Sequence, residues 1–304
     1  MALLFLFIDG VGIGKNIAEN PLTDESLQGF SFISEGQPFT KEANEVHREN
    51  HAFTPVDATL GVEGLPQSGT GQTALFSGEN APQKIGKHFG PFPHSGIKPL
   101  LKKHSLFRKA QADGQVCTFI NAYPDIFFKK AGKRNRWTCT TLMTKSADIP
   151  LNGEQAVKDG TALTAGLNQQ AWQKQLHIDV PIISPEEAAD RLLEQSKNHD
   201  LILHEYYLTD KAGHSQQQAK ALQYLQRYDR FLWRLIQEKP APVTIVLCSD
   251  HGNIEDLSTK SHTLNKVPLF AFGPGASAFH QAKSIMDVTP GILAALKDPE
   301  TRSG

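Results

Sequence analysis

The chain has 304 residues, with 31 Lys and Arg against 32 Asp and Glu and a formal net charge of -1, so no bulk field draws it to nucleic acid or to an anionic membrane. Cys117, Cys139 and Cys248 are its three cysteines and show no CxxC spacing, which excludes a disulfide framework and a thiolate zinc site. The length suits one large α/β domain or two small ones, and twelve histidines favour metal chemistry without locating it.

Ala2 to Ile8, "ALLFLFI", is an unbroken apolar run that stops at "DGVGIG". This is the pattern of a buried parallel strand feeding a loop at its carboxyl end, with Asp9 at that edge. The run is one strand long and has no basic leader, so it reads as neither signal peptide nor membrane span, and a cytoplasmic protein is expected. Residues 15 to 52 are polar with scattered Gly and Pro, predicting loop and short helix. Within "DATLGVEGLPQSGTGQTALFSGENAP", Thr70 to Phe76 reads as a short helix closed by Gly78, which puts Thr70 at a helix N-terminus. Residues 97 to 112 read as one basic amphipathic helix and Val116 to Asn121, "VCTFIN", as a buried strand.

From Asp125 to Val180 the α/β alternation lapses into polar, Lys- and Arg-bearing segments, a candidate lid inserted in a single domain. Order resumes with a helix over Pro185 to Lys197 and the strand "LILHEYY". Leu222, Leu225, Tyr228, Leu232, Leu235 and Ile236 recur at helical spacing before the strands "VTIVLCS" and "VPLFAFG", and a last helix follows "MDVTPG". The tail "DPETRSG" is expected to fray. Strands separated by helices predict an α/β fold with a mainly parallel sheet covered on both faces.

Functional side chains of such sheets gather at the carboxyl ends of strands. Asp9 follows the first strand, Asp210 and His214 follow "LILHEYY", Asp250 and His251 follow "VTIVLCS", and His262 precedes "VPLFAFG". Carboxylates mixed with imidazoles suit Mn²⁺ or Zn²⁺, with Mg²⁺ an option, and the count fits two divalent ions. Asp210 and His214, four apart, can share one face of a helical turn.

The motifs "FIDGVGIG", "LPQSGTGQTALFSGENA", "LTDKAGHS", "CSDHGNIED", "SHTLNKVPLFAFG" and "MDVTPGILAAL" occur in that order. With them the chain resembles the alkaline phosphatase superfamily, in the branch of cofactor-independent phosphoglycerate mutase and phosphopentomutase. The resemblance implies a three-layer alkaline-phosphatase-like sandwich. It assigns Asp9, Thr70, Asp250 and His251 to one metal and Asp210, His214 and His262 to the other. Thr70, eight residues before Gly78, falls where the family places its Ser or Thr nucleophile, implying a phosphothreonine intermediate. A bound cation would stabilise the threonine alkoxide, the helix start would supply N–H donors to the phosphoryl oxygens, and ions about 4 Å apart would clamp the attacking and leaving oxygens.

Each residue also has a plainer reading. Asp9 alone would cap a loop, and Thr70, Gln72 and Thr73 alone would cap a helix. "DGVGIG" lacks the glycine spacing of a dinucleotide site. His204, inside a strand, reads as a core residue; His47, His51, His88, His94, His104, His177, His199 and His280 receive no metal role. Lys129, Lys130, Lys133, Arg134 and Arg136 read as a solvated loop, with a substrate-anion role kept for Arg134 and Arg136 and likewise for Lys87 and His88. Asp57 either supports the metal shell or ties its own loop.

The reading that results is a two-metal phosphatase or phosphodiesterase acting on a small phosphorylated substrate, with no nucleic-acid or membrane partner. The alternatives are a phosphomutase, whose family members carry a larger cap than this insertion, and a non-catalytic metal- or phosphate-binding protein on the same fold. A sulfatase is disfavoured because no CxPxR or SxPxR motif surrounds Thr70.

Overall fold

A computed structural model describes residues 2–297; the tail "DPETRSG" lies outside them. Seven strands form one sheet: β1 (Ala2–Ile8), β2 (Val46–Arg48), β3 (His51–Val56), β4 (Cys117–Phe119), β5 (Leu201–Tyr206), β6 (Val243–Cys248) and β7 (Val267–Phe272). Their order across the sheet is β2-β3-β7-β6-β1-β5-β4. β1 pairs in parallel with both β5 and β6, and β4 with β5, whereas β7 runs against both β6 and β3, and β2 against β3. Five strands therefore point one way and β2 and β7 the other, a mixed and mostly parallel α/β sheet as expected.

Alternation along the central strands sends side chains into two cores. Phe5 and Phe7 of β1 and Leu203 of β5 pack with Leu75 and Phe76 of the helix Ser68–Ser77 on one face. Leu4, Leu6 and Ile8, with Ile202 and Ile245, meet Leu225, Tyr228 and Leu232 of the helix Gln218–Glu238 on the other. A strand buried on both faces must be apolar at every position, which is why β1 reads as an unbroken hydrophobic run. Among the described residues no helix is long and apolar enough to cross a membrane.

Three expectations are corrected. Residues 46–52, inside the stretch read as loop and short helix, form with 53–56 the antiparallel pair β2–β3 at the sheet's edge. The single helix over 97–112 is two, Lys98–Lys103 and Leu106–Ala112, because Ser105 takes an extended conformation between them. Within 125–180, the helix Cys139–Ser146 is buried and its Cys139, Leu142 and Met143 join the main core. Ala122, Val157, Ala162, Trp172 and Val180 close a separate small cluster.

Candidate metal centre

The sheet order brings distant residues together. β1 lies between β6 and β5, so the loop carrying Asp9 is flanked by Asp250 and His251 after β6 and by the helix Leu208–Ser215 after β5, which carries Asp210 and His214. Gly10, at φ 69°, turns the chain sharply here; a Cβ on it would sit 2.7 Å from the Asp210 Cβ, so only glycine lets the loop pass.

His251 Nε2 lies 3.4 Å from Asp9 Oδ1 and 3.5 Å from Asp250 Oδ2. Beside this triad, His214 Nε2 is 3.4 Å from Asp210 Oδ2 and His262 Nε2 is 3.6 Å from Asp210 Oδ1, with the two Nε2 atoms 3.3 Å apart. The rings of His251 and His262 stack at 3.8 Å, so the two triads share a wall. His262 Nδ1 faces the Pro66 carbonyl and His214 Nδ1 the Lys260 carbonyl, both at 2.7 Å. A carbonyl only accepts, so each Nδ1 carries a proton and each Nε2 is the nitrogen turned to the cluster, where the neutral ring would offer a lone pair to a cation.

The charges at the centre conflict in the absence of a cation. Burial, followed by the charges of Asp250 and Asp210, raises the Asp9 carboxyl well above the ordinary range. Burial likewise pushes Asp250 up to about 7, and lowers His251 and His262. Asp210 goes the other way: burial opposes its charge, but the hydrogen bond with His214, the His251 charge and the Asn253 amide together hold it low. His214 rises to about 9 through its hydrogen bond to Asp210. Asp9 Oδ1 and Asp250 Oδ2 are buried and take part in no hydrogen bond. Orphaned carboxylate oxygens among imidazole lone pairs form a donor set that fits hard to borderline divalent cations, which would remove the repulsion.

The helix Ser68–Ser77 presents a different hydroxyl from the one expected. Ser68 Oγ is 3.1 Å from His251 Nε2 and the Gln72 amide donates to Asp9 Oδ2 at 3.3 Å. A Cβ on Gly71 would lie 2.8 Å from the Asp250 carbonyl oxygen, so this face can approach only because position 71 is glycine. Positions 68, 71 and 72 share one face, while position 70 is about 200° round the helix from 68. Thr70 accordingly points elsewhere: its hydroxyl donates to the Gln67 carbonyl at 3.1 Å and accepts from the Phe89 N–H at 3.2 Å. The assignment of Thr70 to the metal-facing position is corrected by helix phase.

A family model described as Metalloenzyme superfamily matches residues 178–298. The 2,3-bisphosphoglycerate-independent phosphoglycerate mutase of Methylobacillus flagellatus is 29% identical over 137 residues, covering 41% of this chain and 26% of the relative. That of Mycoplasma pneumoniae is 31% identical over 119 residues, covering 36% and 23%. The chain thus matches about a quarter of the length of these curated relatives. The alkaline phosphatase from the Antarctic bacterium TAB5 superposes with a TM-score of 0.58 at 12% identity over 97% of both chains. The lipoteichoic acid synthase LtaP from Listeria monocytogenes gives a TM-score of 0.55 at 11% identity, over 97% of this chain and 71% of that one.

Residues 178–298 thus match the Metalloenzyme superfamily, and the fold of the whole chain is that of the alkaline phosphatases. The family match contains Asp210, His214, Asp250, His251 and His262; Asp9 and the Ser68 helix lie outside it and join the same cluster through the geometry above.

Several residues around this site carry no obvious sequence signal. Glu255, fully buried, accepts from the backbone N–H of Gly12 at 2.9 Å and of Asn253 at 2.7 Å, from Asn265 Nδ2 at 2.9 Å, and from the Thr263 hydroxyl. It staples the Asp9, His251 and His262 loops together. Asn253 Nδ2 donates to Asp210 Oδ1 at 2.7 Å. Both sit in the "CSDHGNIED" motif, which drew attention only to Asp250 and His251. Glu205, at the end of β5, is buried, raised to about 7 by that burial, and accepts from Thr140 at 3.0 Å.

The candidate substrate residues separate. Arg136 is exposed and stacks over the Phe92 ring at 4.0 Å, and the Phe92 carbonyl lies against Gly69, so it stands near the start of the Ser68 helix. Lys87 and Arg134 are exposed, with no ion-pair partner among the described residues. His88 turns its Nε2 to the Val62 carbonyl at 3.2 Å, and burial lowers its pKa. Asp57 ties its own loop, accepting from the Thr59 and Leu60 N–H groups. His204 is a core residue against Phe231, lowered to about 3 by burial.

Proposed function

We propose that this chain is a metal-dependent phosphoryl-transfer enzyme in which Ser68, in place of the expected Thr70, attacks phosphorus. The observation that carries the reading is the position of Ser68 Oγ, 3.1 Å from His251 Nε2, in the first turn of a helix that faces two buried carboxylate oxygens without hydrogen-bond partners. Asp9, Asp250 and His251 would hold one divalent cation with Ser68, and Asp210, His214 and His262 the other. When bound, two such cations supply the positive charge that stabilises the attacking and leaving oxygens.

The protein's own groups do the remaining work. Nδ1-to-carbonyl hydrogen bonds fix the imidazoles so that none has to reorient during turnover. The helix start adds N–H donors and a positive dipole end for the phosphoryl oxygens. Ser68 Oγ then bonds to phosphorus as the leaving oxygen departs in line, giving phosphoserine and a free alcohol; water releases phosphate. A substrate hydroxyl replacing water at the second step would make the enzyme a mutase.

Hydrolysis of a phosphomonoester or phosphodiester is the preferred form. Part of the 125–180 stretch is built into the core, and what remains is a partial lid that leaves the centre open to water; His214 is 46% exposed at its side chain. The test is turnover of metal-loaded protein on phosphomonoesters, phosphodiesters and sugar phosphates, with mass spectrometry of acid-quenched enzyme. Phosphate carrying labelled water oxygen and a phosphorylated peptide at Ser68 are expected. Full metal occupancy without turnover of any of these would sink the proposal.

A further inference from the structure

Two large apolar side chains stand uncovered beside the metal centre. Leu65, 36% exposed, directly precedes Pro66, whose carbonyl accepts from His262 Nδ1 at 2.7 Å; Leu264, 63% exposed, lies two residues after His262. Two steps along the chain span at most about 8 Å, so both leucines border the His262 ring, and that ring stacks on His251 at 3.8 Å. Leu264 is the most exposed large hydrophobic residue among those described. Its neighbours do the opposite: His262 and Thr263 are buried, the first against Asp210 and the second donating to Glu255.

A lone exposed leucine is ordinary, whereas apolar side chains gathered at one site mark a binding surface. The charged residues nearest to this pair in sequence, Glu63 and Lys266, are of opposite sign and give that side no net charge. The start of the Ser68 helix is lined differently. The Phe92 carbonyl would lie 2.3 Å from a Cβ on Gly69, and the Arg136 guanidinium carbon stands 4.0 Å from the centre of the Phe92 ring, held there by attraction to the ring face. A cation therefore borders the attacking hydroxyl, and two leucines border the imidazole of the second triad.

We propose that the preferred substrates carry an apolar leaving group, alkyl or aryl, and that Leu65 and Leu264 select it. The inference rests on the phosphoryl-transfer reading. Ser68 attacks from the side of Asp9, Asp250 and His251, so in an in-line displacement the leaving oxygen departs on the side of Asp210, His214 and His262. The substituent on that oxygen then passes the His262 loop, where its apolar surface and that of the two leucines leave water together. A charged or hydroxyl-bearing substituent gains nothing there, because a leucine side chain has no hydrogen-bonding group.

The probe is a series of alkylphosphonates, whose phosphorus–carbon bond the reaction does not cleave, titrated calorimetrically into full-length, metal-loaded protein. A fully buried methylene tightens binding about fourfold, so the five additional methylenes of hexylphosphonate over methylphosphonate are expected to give about tenfold or more on this half-open lip. A phosphonate of the same length ending in a carboxylate is expected to lose most of that gain. Leu65→Ser with Leu264→Ser, both at exposed positions, is expected to cut the gain about threefold or more, and Leu65→Met with Leu264→Met to keep it. Affinity indifferent to chain length, or a gain that survives the serine variants, would overturn the proposal and leave the phosphoryl-transfer reading standing. Affinity that follows length in a protein without turnover on any phosphate ester would overturn that reading and leave the lip. Failure of the whole series to bind would remove the lip.

Discussion

Exchanging the two hydroxyls of the Ser68 helix separates the helix-phase argument from the motif alignment. Ser68→Ala removes the attacking oxygen itself and is expected to lower kcat by at least ~10³-fold, while Asp9, Asp250 and His251 still retain metal. Thr70→Val keeps shape and volume but deletes an acceptor, so the Phe89 N–H and Gln67 carbonyl each lose a partner. Such a loss costs about 1–3 kcal/mol, read as a fall in Tm of a few degrees for a domain of this size, with kcat changed only a few-fold. The assay is steady-state hydrolysis of p-nitrophenyl phosphate with saturating Mn²⁺ or Zn²⁺, with metal content measured on each variant. A silent Thr70→Val enzyme beside an active Ser68→Ala enzyme would refute the assignment.

Other perturbations reach other parts of the centre. Asp250→Asn and Asp210→Asn are each expected to weaken metal retention about tenfold or more, measured as bound metal after dialysis. Glu255→Ala leaves the buried N–H groups of Gly12 and Asn253 without acceptors and is expected to cost about 2–5 kcal/mol in chemical denaturation. Gly71→Ala would place a Cβ 2.8 Å from the Asp250 carbonyl; it is expected to reduce turnover more than stability by pushing Ser68 off the cluster. In metal-free protein, Asp250 is raised from 3.8 to about 7 and His214 from 6.5 to about 9. A raised folded value favours the fold below the unfolded value, and that contribution is lost as pH rises through the folded one. Above about pH 6.5, where the lowered histidines no longer titrate, thermal melts are therefore expected to fall as pH rises to about 9, with Asp250→Asn flattening the lower part and added metal restoring stability. A metal-free Tm that climbs across this window would contradict the linkage.

Much of the centre was legible because parallel strands end in a characteristic way. An apolar run stopping at an acid, three times over, located Asp9, Asp250 and the Asp210 helix, and the structure brings all of them with His262 to one edge. Thr70 misled because counting back eight residues from Gly78 fixes a distance along the chain, whereas facing the cluster depends on angle, and a two-residue shift nearly reverses it. The β3 strand was hidden because it begins inside the polar stretch read as loop; its Pro55 stands opposite Pro268 in the register, so both missing N–H groups fall at one point of the ladder. Glu255 gave no signal, since an acid that accepts only backbone and neutral donors looks in sequence like any surface glutamate.

The acids and imidazoles of the centre are scattered from residue 9 to residue 262, and the sheet order, rather than any local stretch, makes them adjacent. During synthesis the nascent chain would own no complete set until its seventh strand began to emerge from the ribosome. Metal capture would then come late, as an event that rewards only finished molecules. Cation supply would act as a filter on folding quality: partly folded or truncated copies gain nothing from it, and starvation for metal would show first as faster proteolytic turnover of the protein.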